Sequence, residues 1–160
     1  MTDSLRHVAA RAALGLASIT ELITAATTSL REGCDSNAFK ELVSSYDGHQ
    51  TLDESQALNL FWIGLTDMGL RVPAKDEAVL TLSREVAWRI VQGNVSPLVG
   101  AEEVRLLNLH AQSHIAALDA FRHASFEANP YEQDLELKRY YEDMVLEAAR
   151  SLIGIKGQSS

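Results

Sequence analysis

The chain is 160 residues long, enough for one domain to bury a hydrophobic core without a disulfide or metal as a staple. With 22 Asp and Glu against 14 Lys and Arg it carries a formal charge of −8, spread over both halves, which argues against direct nucleic-acid binding because phosphate contacts need a basic face. A single cysteine, Cys34, permits no internal disulfide and no CxxC site, which fits a reducing cytoplasm.

Arg6, His7 and Arg11 precede the apolar run AALGLASI, but that run continues through Thr20 and Glu21 into an amphipathic pattern, so it is not read as a signal peptide. No uncharged stretch approaches the length of a membrane span. Leu5, Val8, Ala12, Leu16, Ile19, Ile23, Ala26 and Leu30 follow steps of three and four, predicting one long helix with a narrow apolar stripe. Its flanks are Ala, Thr and Ser rather than charged, which favours packing inside a bundle. The alternative is a homodimer seam through residues 5–30.

Gly33 predicts a stop, and Asp35 or Ser36 caps a short helix carrying Phe39, Leu42, Val43 and Tyr46. Thr51 with Glu54 is read as a capping box opening a helix whose core face is Leu58, Phe61, Trp62, Leu65 and Met68. DGHQTLDE resembles the start of a calcium loop only superficially, since its sixth and twelfth positions are Leu52 and Leu58. The next helix, from Lys75 to Gln92, has Val79, Leu82, Val86 and Ile90 on its stripe. Trp88 falls opposite that stripe, among Thr81, Arg84, Glu85 and Gln92. It is either an anchor for a protein partner or, as Leu80 and Val91 favour, part of a helix buried on two sides.

Gly93 closes that helix, and Ser96 with Pro97 opens another, proline standing where its missing N–H has no intrahelical partner. His110 and His114 lie at i and i+4, with Glu103 seven residues upstream. On one continuous helix this set could hold a divalent metal, while Val99, Leu106 and Leu107 favour core or edge packing. Asp119, His123 and Glu127 form a second ladder, read as a surface arrangement beside Arg122 rather than an acid-base group. Ile115, Leu118, Phe121 and Phe126 give a further apolar pattern. The last helix, from Tyr131 or Asp134 to Ile153, places Leu137, Tyr140, Tyr141, Met144, Val145, Ala148 and Leu152 on one side, and Arg139, Glu142, Asp143 and Arg150 on the other. GIKGQSS reads as a tail.

Gly93, Ser96, Pro97, Gly100 and Ala101, followed by Ala148, Ala149, Arg150 and Leu152, carry a family likeness. The C-terminal half resembles small bacterial helical proteins of unknown function, whose pattern is a G-x-x-S/D-P-x-x-G-A segment and a final helix ending Ala-Ala-Arg-x-Leu. It departs at Glu102 and Glu103, where that pattern has basic residues. The resemblance implies a bacterial origin and carries no activity.

The expectation is therefore an all-α, single-domain bundle of six or seven helices over residues 1–154, with a flexible tail at 155–160. No nucleotide loop, GxSxG elbow or metal motif is present, and no cofactor is expected. The functional expectation is a cytoplasmic helical protein-interaction module of the inhibitor or immunity type, with Glu142 and Asp143 on an acidic face toward a basic partner and Trp88 as an anchor. The alternative is a metal-dependent enzyme or sensor using His110, His114 and Glu103. A third is a small-molecule pocket lined by Trp62, Tyr140 and Tyr141.

Overall fold

The structure, a computed structural model, describes residues 3–47, 52–128 and 134–154. Among them are eight α-helices, one 3₁₀ turn and no strand, the all-α fold that the periodicity predicts. No described helix is long and apolar enough to cross a membrane. Where length alone points to one domain, the contacts group the chain into two compact units, Met1–Ala78 and Val79–Ser160. Helix α5, Lys75–Val91, runs through the division.

The first unit holds α1 (Asp3–Ala13), α2 (Ile19–Arg31), α3 (Asn37–Asp47) and α4 (Glu54–Asp67). The single long N-terminal helix expected from the stripe is broken in two. Gly15, at φ +70°, leaves the helical region at little steric cost, and a Ser18–Glu21 capping box restarts the chain. The Glu21 carboxylate accepts the Ser18 N–H at 2.8 Å and Arg11 Nε at 2.8 Å, while Arg11 Nη2 donates to the Leu16 carbonyl at 2.7 Å. Those bonds tie α1 to α2 across the corner. The stripe survives the break, with Leu5, Val8, Ala12, Ile23 and Ala26 all buried in this unit's core with Phe39, Leu42, Phe61 and Leu65. The proposed dimer seam through residues 5–30 is thus occupied by the unit's own helices.

Ser36 is the cap of α3: its Oγ accepts the Phe39 N–H at 3.2 Å and donates to Asp67 Oδ2 at 2.7 Å, joining the start of α3 to the end of α4. The capping box of α4 is Asp53 with Gln56, each side chain accepting the other's backbone N–H, at 2.7 and 3.2 Å. The Thr51–Glu54 pair is corrected accordingly: Glu54 is the first helical residue, and Thr51 lies outside the described residues. So do the side chain of Tyr46, Tyr131 and the tail at 155–160.

In the second unit α6 (Pro97–Asn108), α7 (Asp119–Glu127) and α8 (Leu135–Leu152) pack on one another, with Val104, Phe121, Val145 and Ala149 fully buried. Val79, Leu82, Val86 and Ile90 of α5 are buried, as their stripe predicts. Gly93, at φ +74°, ends α5, and Pro97 opens α6 after Ser96, whose extended backbone fits the cap position although its side chain makes no cap bond. Gly100 and Ala101 are both buried in α6. The face of α8 is rotated from the expected one. Tyr141, Val145 and Ala149 are buried, whereas Tyr140 is exposed.

Two glycines allow close helix approach. A Cβ on Gly64 would stand 2.2 Å from Cδ1 and Cε1 of the buried Phe39 ring, and one on Gly100 would stand 2.5 Å from Ile90 Cδ1. Alanine gains about 1 kcal/mol of helix propensity at either position. At Gly64 the rigid ring cannot yield, so Gly64→Ala should destabilise by about 1–3 kcal/mol net. At Gly100 the flexible end of Ile90 can turn aside, so Gly100→Ala should cost less. Urea unfolding of the two variants should rank them in that order.

Candidate functional site

The His110–His114 pair does not form the helical metal geometry. Helix α6 stops at Asn108, tightening into i+3 bonds from Leu109 N to the Leu106 carbonyl and from His110 N to the Leu107 carbonyl. Both histidines are exposed in the connection ahead of the 3₁₀ turn Ala116–Leu118, where i and i+4 share no helical face. The polar stretch at Gln112 and Ser113 has no apolar side chain to prolong the buried stripe. Glu103 is committed elsewhere, accepting Arg89 Nη1 at 2.9 Å and Nη2 at 3.3 Å. His114 Nε2 lies 3.2 Å from Asp119 Oδ2, and Arg122 Nη2 lies 3.3 Å from Asp119 Oδ1. Among the described residues, no three His, Cys, Asp or Glu gather as a metal set. The second ladder stays on α7, where the His123 ring meets Tyr141 edge-on, 5.9 Å between centroids, and Glu127 is exposed.

Trp88 is 51% exposed, so the two-sided burial expected for it gives way to the polar-face position. Glu142 is half-buried, 3.9 Å from Lys138 Nζ, and Asp143 is exposed. Lys138, Arg139 and Arg150 interleave with the acids of α8, so this helix carries a mixed surface. Trp62 belongs to the first unit, its ring 5.5 Å from Phe61, and the Tyr140–Tyr141 pair belongs to the second.

A concave surface lies in the second unit between α6 and α7. It is an open trough of about 680 Å³. Val99 and Leu106 line it from α6 and Phe126 from α7, respectively 55, 47 and 67% exposed. The seven-residue spacing of Val99 and Leu106 is a signal in the sequence, but beside His110 and His114 it points to core or edge packing.

Charged groups in the trough are held in place. Arg105 donates to both oxygens of Glu102, Nε at 2.7 Å and Nη2 at 2.6 Å. The Ser125 hydroxyl of α7 donates to Glu102 Oε2, so the carboxylate joins the two walls. The guanidinium of Arg105 also lies over the Phe126 ring, 5.4 Å from its centroid. The Arg105 and Ser125 hydrogen bonds bring the Glu102 pKa down from 4.5 to about 2. A carboxylate this acidic is a poor general base, so Ser125–Glu102 is a structural latch rather than a nucleophile pair. Comparison of the chain with protein-family models, with curated proteins and with solved structures finds no match.

Because the folded Glu102 pKa lies below its ordinary 4.5, the latch contributes its full stability above that pH and loses it as the pH falls toward about 2. Glu102 is 46% exposed, so solvent screening keeps the contribution small and salt-sensitive. Glu102→Gln should lower the urea midpoint at neutral pH, and its gap to the parent chain should close on acidification through that window. Equilibrium unfolding as a function of pH measures it, and a constant gap would remove the charge of Glu102 from the latch.

Proposed function

We propose that the chain is a cytoplasmic helical protein-interaction module, of the inhibitor or immunity type, that binds a basic protein through the surface of its second unit. One observation carries the reading. Of the nine exposed large apolar side chains among the described residues, seven lie in this unit, Trp88 and the trough residues Val99, Leu106 and Phe126 among them. Large rigid side chains left in water lose little conformational entropy when a partner covers them, which is why Trp and other aromatics dominate binding energy at interfaces. The net charge of −8 favours approach of a basic partner, and the carboxylates of Glu142 and Asp143 on α8 add to it.

The test uses the full chain as bait in an extract of its native host. A basic protein should be retained at low ionic strength and released as salt screens the attraction. The double charge reversal Glu142→Lys, Asp143→Lys should lower retention about tenfold, mainly through slower association. Equal retention by the reversed chain would remove α8 from the interface, and no retained protein would end the reading.

A further inference from the structure

We draw no further inference here: the strongest candidate, the open apolar trough between α6 and α7, has nothing in the structure to show what covers it, and its carboxylates Glu102 and Glu103 are already paired with Arg105 and Arg89.

Discussion

Helix α6 is held from two directions, and the second unit depends on where that places it. On the side toward α5, Gly100 has no side chain, and Ile90 fills the space a Cβ would need. On the side toward α7, Glu102 takes hydrogen bonds from Arg105 of its own helix and Ser125 of its neighbour. Close packing is short-ranged and intolerant of volume, whereas the charged latch is directional but partly screened by water. Together they fix both the approach of α6 and its rotation. That rotation turns Val104 inward and leaves Val99 and Leu106 facing solvent.

The exposed apolar side chains follow from the same geometry. A helix of this pitch with residues such as Val99, Ala101, Val104 and Leu106 cannot bury all of them against neighbours on one side. Ala101 and Val104 go to the core, and the others form a wall of the trough. Keeping such a wall in water costs solubility, and it is a usual mark of a surface that a partner covers. The carboxylates beside it, Glu102 and Glu103, are each paired with an arginine, Arg105 and Arg89.

The first unit uses the same chemistry. Ser36 caps α3 and reaches Asp67 of α4, Gly64 admits the ring of Phe39, and the Arg11–Glu21 pair closes the corner between α1 and α2. Its apolar stripe is buried against its own helices.

Local signals in the sequence were sufficient for the helical class, the buried stripe of α5 and the start of α6 at Pro97, and they narrowed the α3 cap to Asp35 or Ser36, because periodicity and caps act within one or two turns. Other local signals were present but competed. Ser18–Glu21 and Asp53–Gln56 are capping boxes in the sequence, yet the first lay inside a continuous apolar stripe and the second beside Thr51–Glu54. Tertiary structure alone decided which of several apolar faces would be buried. It sent Trp88, Leu106, Phe126 and Tyr140 outward, ended α6 before His110, and brought Ser125 to Glu102 across 23 residues of chain. Helix spacing states which side chains share a face, but which face is covered depends on neighbours distant in sequence, and no local pattern encodes their approach.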